Sequence, residues 1–510
     1  MVNLFKSLLL SACIGTLTIN KSWAEWREDA GWETLLLYAG ASIPNGSSLY
    51  LEITEAYANN TTFPYMPNTG LTGLNGITFT NITNTSSAVS GHANSVSRNY
   101  FSATESLLTG VTQVGVRSAN DFLNNFLDTS GSVSASTAQV MSHAYIGSAS
   151  PANEANYNEF IKRFDFFTQN SGTLNIVGVN NGDSNIIPPL FNSAYNSISV
   201  GRTDGLHSHG FTPANYPGPG RQKPEIVSNS IGNRTSFATG AVSSAASLLN
   251  AKAMQSMNID ATHSDTIKAC LFAGATKTRL LSWSQTTSEP LDTRYGVGEM
   301  NIFNSYRIIE RAESAAPNVH HRGWSRDQIT TSTPITYTFT TPNLKPPLTL
   351  SAALVWQRNV TQSGDMMFPT YTYENLSNLQ LELLNQGGTT LQTSNSTVGN
   401  IEHIWNQQLE PNTIYSLRVS SSSGTDLFSL AWHVGGKPTA EMTIAPDTSH
   451  VDVNFTDLKV GNSYVIQRSA DMQTWSTIHN FVATSTSTSW QDTTNPVNGS
   501  AFYRIFSFDP

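Results

Sequence analysis

Two short, uncharged runs rich in β-branched residues restrict the fold most: Leu174-Asn175-Ile176-Val177-Gly178-Val179 and Ser197-Ile198-Ser199-Val200. Both are short and carry no charge or bulky polar side chain other than Asn175, so both read as buried strands. Ser236 to Leu249 follows with Val242, Ala245, Ala246 and Leu249 at helical spacing. Buried strands alternating with helices predict a mostly parallel sheet flanked by helices, an α/β architecture. Such sheets bind ligands in the crevice beyond the carboxyl ends of their strands. This pattern occupies residues 25 to about 316.

From about Ser332 the period changes to two. Ile335-Thr336-Tyr337-Thr338-Phe339, Leu379 to Leu383 and Tyr415 to Val419 alternate, with turns at Gly387-Gly388 and Pro411-Asn412. Residues 330–437 are therefore expected to form an antiparallel β-sandwich. Val451 to Phe455 and Tyr503 to Ile505 predict a small β module over 439–510. The predicted whole is an α/β region followed by two antiparallel β domains.

Net charge is −9 and only 12% of residues are charged. Phosphate neutralisation needs clustered Lys and Arg, so nucleic acid is excluded as the main partner. At the amino end, Lys6, the apolar stretch Ser7–Ile19 and Ser22-Trp23-Ala24 read as a cleavable export signal of residues 1–24. A secreted protein, extracellular or periplasmic, is expected. The alternative is a lipid anchor at Cys13, since Leu10-Ser11-Ala12-Cys13 resembles a lipoprotein box. Against it, the apolar run continues past Cys13 through Ile14 and Leu17. Nothing later reaches the roughly 18 apolar residues that a membrane span needs. After removal of the signal only Cys270 remains, too few thiols for an internal disulfide or a zinc cluster. Its setting, Ile267 to Ala273, predicts a buried core residue.

Gly232-Asn233-Arg234-Thr235-Ser236-Phe237-Ala238-Thr239-Gly240 sets a serine between a tight turn and an alanine-rich helix. The orphan N–H groups of a helix start can hold a developing oxyanion. The common alternative is a simple N-cap. Lys223-Pro224-Glu225-Ile226-Val227 leads into this segment. Upstream lie Ser90-Gly91-His92-Ala93-Asn94-Ser95-Val96, then Val177-Gly178-Val179-Asn180-Asn181-Gly182, then Tyr195 to Gly201; downstream lies Tyr295 to Asn301. In this order, over about residues 47–311, the blocks resemble the subtilisin-like serine peptidases.

That resemblance implies a fold and a set of roles. Ser236 is the nucleophile and His92 its base. Glu55, in Leu51-Glu52-Ile53-Thr54-Glu55-Ala56, stands where the family usually has an Asp to orient the imidazole. Glu52 is the second candidate, although alternation along a strand sends it to the opposite face from Glu55. Asn180 completes the oxyanion hole beside the Ser236 N–H. The departures are Arg234 for a Gly, Gly240 for a Pro, Val179 for a Gly and Asn94 for a Thr. The implied activity is an exported serine endopeptidase that cleaves protein or peptide substrates through an acyl-enzyme. The rival reading is an inactive relative that binds peptides or surfaces.

No cofactor is implied, as HExxH, P-loop and EF-hand patterns are absent. Structural calcium is common in the family, but no acidic cluster locates a site. No prodomain of the family's usual size fits between Ala24 and Glu55. Ala353 to Trp356, Leu379 to Leu384, Asn400 to His403 and Leu430 to Trp432 resemble the β-sandwich that often follows such peptidases. Tyr464 to Asp471 with Trp475 resembles fibronectin-III-like repeats, which implies contact with a surface or polymer. His207-Ser208-His209 reads as a solvent-facing pair rather than a metal site. His143 is expected at a strand end, packing or lining the cleft.

Overall fold

The computed structural model describes residues 25–508 apart from 58–61, 84–86, 149–153, 281, 366–367, 438, 447–449, 473 and 495–500. The export-signal segment and Cys13 lie outside the described residues. Seven strands build the central sheet: β1 Leu51–Glu55, β2 Thr78–Asn81, β3 Gln113–Ser118, β4 Val140–His143, β5 Leu174–Gly178, β6 Ile198–Arg202 and β7 Ile226–Ser228. They are ordered β2-β3-β1-β4-β5-β6-β7, and every pair is parallel. The chain leaves β1 toward one edge and returns through β4 toward the other. The switch point therefore lies at β1 and β4, where a crevice opens beyond the strand ends.

Both faces of the sheet are covered, which is why every residue of β1, β4, β5 and β7 is buried. Val140, Leu174 and Ile176 face the core that contains α2 Gly91–Phe101, α4 Thr235–Met254, α5 Ser264–Gly274 and α6 Ile302–Ile309. Met141 and Val177 face a second core beneath α3 Glu154–Ser171. A short helix, α1 Trp32–Ala39, adds Trp32 and Leu35 to the first core. Cys270 is fully buried on α5, and burial pushes its thiol well above the usual range.

Helix α4 passes under the middle of the sheet and is made of small residues because its neighbours come close. A Cβ built on Gly240 would lie 2.7 Å from the Val96 carbonyl and 3.1 Å from Asn99 Cβ on α2. Asn99 also accepts from the Ile231 N–H at 2.8 Å and donates to its carbonyl at 3.3 Å. The contact therefore fixes α2 against both α4 and the turn leading into it.

Beyond α6 the structure is antiparallel β. One four-stranded sheet comprises Arg322–Ile329, Asp426–Lys437, Lys345–Trp356 and Ile401–Leu409; the facing sheet comprises Ile335–Thr340, Ile414–Ser423, Asn378–Asn385 and Thr390–Ser394. Tyr337, Leu354, Trp356, Leu381 and Trp432 fill the space between them. The strand Arg322–Ile329 precedes the period change expected at about Ser332. The first sheet is buried on its outer side too, with Ala353, Val355 and Ala431 joining the α-helical core. Alternation is lost there for that reason. A hairpin, Val360–Ser363 and Thr370–Tyr373, reaches back over α3. Tyr373 donates to the buried Asp165 at 2.7 Å, and Arg163 lies 4.3 Å over the Tyr371 ring. Two three-stranded sheets enclosing Val453, Phe455, Tyr464 and Ile466 complete the described chain.

Gly240→Ala forces a methyl group against a backbone carbonyl. It is expected to destabilise the protein by about 1–3 kcal/mol, read as a lower denaturation midpoint at unchanged slope.

Candidate active site

Glu55 ends β1 at the switch point, paired with Ser118 of β3, beside β4, whose His143 pairs with Thr54. Its side chain is completely buried. His92 is the second residue of α2; the preceding Ser90 caps the helix, accepting from the Ala93 N–H at 3.2 Å. Asn94 accepts from the Asn68 N–H at 2.7 Å, tying the first turn to its flanking loop. With the helix start held, His92 Nδ1 meets Glu55 Oε2 at 2.6 Å. An ionised carboxylate can only accept, so Nδ1 carries the proton and Nε2 is left as the basic nitrogen.

The electrostatics follow from depth. Burial pushes the Glu55 carboxyl up, and the bond to His92 offsets part of that rise. Burial disfavours the His92 imidazolium, but the bond and charge of Glu55 outweigh it and leave His92 above its ordinary value; Arg234 opposes this rise. Glu55 Oε1 is buried without a hydrogen-bond partner among the described residues.

Glu52 is placed elsewhere, as strand alternation requires. It is buried on the other face, accepting from Ser136 at 2.5 Å and lying 3.8 Å from Arg117. It does not meet His92.

Ser236 is the second residue of α4 and is half-buried. Of the orphan N–H groups at this helix start, that of Thr235 donates to Asn181 Oδ1 at 2.9 Å. Those of Phe237 and Ala238 turn back to the Arg234 carbonyl. The Ser236 N–H has no partner among the described residues, so it is the donor available to an anion. A cavity of about 80 Å³ adjoins it, lined by Ala144, Tyr145, Ile146, Asn180 and Asn181 among others. The Ser236 hydroxyl donates to the Ala144 carbonyl at 3.4 Å. Among the described residues no hydrogen bond joins it to His92, although the rings of His92 and the next residue, Phe237, are 6.1 Å apart. The structure thus couples Glu55 to His92 and sets Ser236 beside Asn180, with the hydroxyl turned to Ala144.

Asn181, which the sequence reading did not single out, holds the start of α4. Its Oδ1 accepts from both the N–H and the hydroxyl of Thr235, whereas Asn180 Oδ1 accepts from the Asn181 N–H at 2.9 Å. The Asn-Asn-Gly run offered two amides but nothing local to rank them.

His143 is buried with Phe122, Phe164 and Phe191, its Nε2 donating to Asn175 Oδ1 at 2.9 Å. Burial lowers it to about 3, so it stays neutral and packs. The expectation of a solvent-facing His207 is corrected: it is fully buried, bonded to the Arg202 N–H and the Arg294 carbonyl. Its ring occupies the space over Gly201, where an added Cβ would lie 2.6 Å from Nε2. His209 pairs with Asp183 at 3.1 Å. Among the described residues no three His, Cys, Asp or Glu gather as a metal site, and no helix is long and apolar enough to cross a membrane.

No family profile matches the sequence, and no curated protein matches it. Similar solved structures include the patellamide maturation protease PatA: 12% identity, 52% of this chain and 98% of that one, TM-score 0.35. A protease from Pseudoalteromonas arctica shares 13% identity over 55% of this chain and 97% of its own, TM-score 0.33. MycP1 from Mycobacterium smegmatis shares 11% over 57% and 87%, TM-score 0.36. At these scores the likenesses bear no functional weight.

The pair makes a signed prediction for pH. A histidine raised in the folded state adds stability that is complete below its unfolded value of about 6.5 and is lost as pH climbs through the folded value. Glu55→Gln leaves burial and Arg234, both unfavourable to the imidazolium. An NMR titration of His92 is expected to show a midpoint above the ordinary one in the wild type and a fall in the variant.

Proposed function

We propose that this chain is an exported serine endopeptidase with a Glu55–His92–Ser236 triad. The observation that carries the reading is the 2.6 Å bond from a buried carboxylate to His92 Nδ1, with the ring beside the helix start that holds Ser236. In this mechanism Ser236 Oγ attacks the scissile carbonyl while His92 Nε2 takes its proton, and Glu55 holds the tautomer and balances the imidazolium. His92 then gives the proton to the leaving amine, and water hydrolyses the acyl-enzyme by the same route.

The oxyanion is received by the Ser236 N–H and a side-chain amide of the 180–181 loop. Asn180 is the choice from sequence. The pinned carbonyl of Asn181 supports Asn181, because an amide with its oxygen fixed on Thr235 presents its nitrogen in one orientation. Export by the 1–24 signal, the module limits 330–437 and 439–510, the fibronectin-III-like character of the last and its contact with a surface or polymer belong to the same proposal. The Ala144 bond of the Ser236 hydroxyl supports a second reading, a peptide-binding protein without turnover.

Labelling by a serine-directed fluorophosphonate and cleavage of an unfolded protein, with Ser236→Ala as zero, separate the two. Labelling at Ser236 with measurable cleavage is expected; wild type equal to Ser236→Ala in both assays makes the binding reading the better one. Glu55→Gln is expected to lower turnover by roughly 10⁴, the cost of a wrong tautomer, and Glu52→Gln far less. Loss of the amide that holds the oxyanion should lower kcat by about 10²–10³. Comparing Asn180→Ala with Asn181→Asp, which keeps the acceptor on Thr235 but removes the donor, identifies which amide acts.

A further inference from the structure

Arg234 is the N-cap of α4, two residues ahead of Ser236. Its backbone is fixed: the N–H donates to the Gly232 carbonyl at 2.9 Å, and its own carbonyl accepts from Phe237 and Ala238, each at 3.1 Å. The side chain is exposed, and among the described residues no carboxylate pairs with it. Other arginines of the α/β region differ: Arg202, Arg279 and Arg294 are engaged by Asp204, Glu299 and Asp183. Glu55 does not neutralise the rim either, since it is completely buried and bonded to His92. A chain of net charge −9 thus keeps an unpaired cation at the edge of its candidate active site.

The two sides of Ser236 are distinguishable. On one lies the cavity walled by Tyr145, Ile146, Val179 and Asn180. On the other lie His92 and Phe237. Arg234 is absent from the cavity wall; its carbonyl accepts from the N–H of Phe237, whose ring lies 6.1 Å from that of His92. In acyl transfer the carbonyl being attacked sits with the oxyanion donors, and the leaving amine is the group the histidine protonates. The field of Arg234 therefore falls on the leaving-group side.

Resting on the peptidase reading, we propose that Arg234 is a specificity-determining residue that favours peptides with an acidic side chain immediately after the scissile bond. A guanidinium at a solvent-accessible rim recognises a carboxylate by a forked pair of N–H donors as well as by charge.

The test uses peptides identical except for Asp, Asn or Lys at the first position after the cut, with wild type, Arg234→Ala and Arg234→Glu. An exposed pair is worth about two- to fivefold in kcat/KM. Wild type should favour Asp over Lys by about that factor at low salt, with the preference fading as salt screens it. Arg234→Ala should flatten the series and Arg234→Glu invert it. The ratio is taken within each enzyme, so a shift in His92 protonation common to all peptides cancels. An Asp/Lys ratio near one in the wild type, or the same ratio in wild type and Arg234→Glu, overturns the role of Arg234 and leaves the peptidase reading standing. No turnover of any peptide by the wild type, with no labelling of Ser236, overturns both.

Discussion

Everything at the candidate site depends on how closely two helices approach. Gly240 lies four residues after Ser236, and Val96 lies four residues after His92. The contact between α2 and α4 is thus one helical turn below each of the two groups that the proposed mechanism pairs. Helix starts aim their first side chains and orphan N–H groups past their ends. Packing the helices together one turn inward therefore brings the two helix starts to a common edge, where the rings of His92 and Phe237 lie 6.1 Å apart. Asn99 extends the control to the turn at Ile231, which sets where α4 begins. A proline at residue 240, usual in the family that the sequence resembles, finds here a neighbour's carbonyl at a distance no Cβ tolerates.

The second constraint is the depth of Glu55. A carboxylate at the carboxyl end of a central parallel strand has protein on both sides of the sheet, so water cannot satisfy it. Its charge is tolerable only against a partner that donates, and His92 Nδ1 is that donor. The extra methylene relative to an aspartate is accommodated because the strand ends at Glu55 itself, leaving the side chain to reach forward to α2. One oxygen is engaged and the other is buried with no partner among the described residues, a cost that the bond to His92 helps to offset. Glu52, on the other face of the same strand, finds Ser136 and Arg117 instead.

Features expressed by local pattern were legible in the sequence. The buried strands Leu174–Gly178 and Ile198–Arg202, the small-residue helix carrying Ser236, the separation of Glu55 from Glu52 and the burial of Cys270 all follow from periodicity and residue size. Features decided by distant contact were not. The acceptor that pins Thr235 is Asn181, 54 positions away, and nothing in the run Asn180-Asn181-Gly182 distinguishes its two amides. The burial of His207 needed the space over Gly201. The strand Arg322–Ile329 was invisible because helix α5 covers the sheet's outer face and erases the alternation by which strands are recognised.

The orientation of the Ser236 hydroxyl weighs less against catalysis than it first suggests. Its bond to the Ala144 carbonyl, at 3.4 Å, is at the long end of what an O–H donor makes. A typical neutral bond contributes only about 0.5–1.5 kcal/mol net, so a bond this stretched holds the rotamer weakly. The proposed mechanism asks the hydroxyl to turn about its Cα–Cβ bond from Ala144 toward His92, a change that leaves the backbone of the helix start untouched. Ala144 follows β4 directly, and in the proposed mechanism a substrate strand laid along that edge competes for the same carbonyl. In the proposed mechanism, substrate binding and release of the nucleophile are then one event. The hydroxyl is retained by the edge of the cleft until a peptide takes its place, and the proton it must surrender is next to Nε2 only when there is a carbonyl to attack.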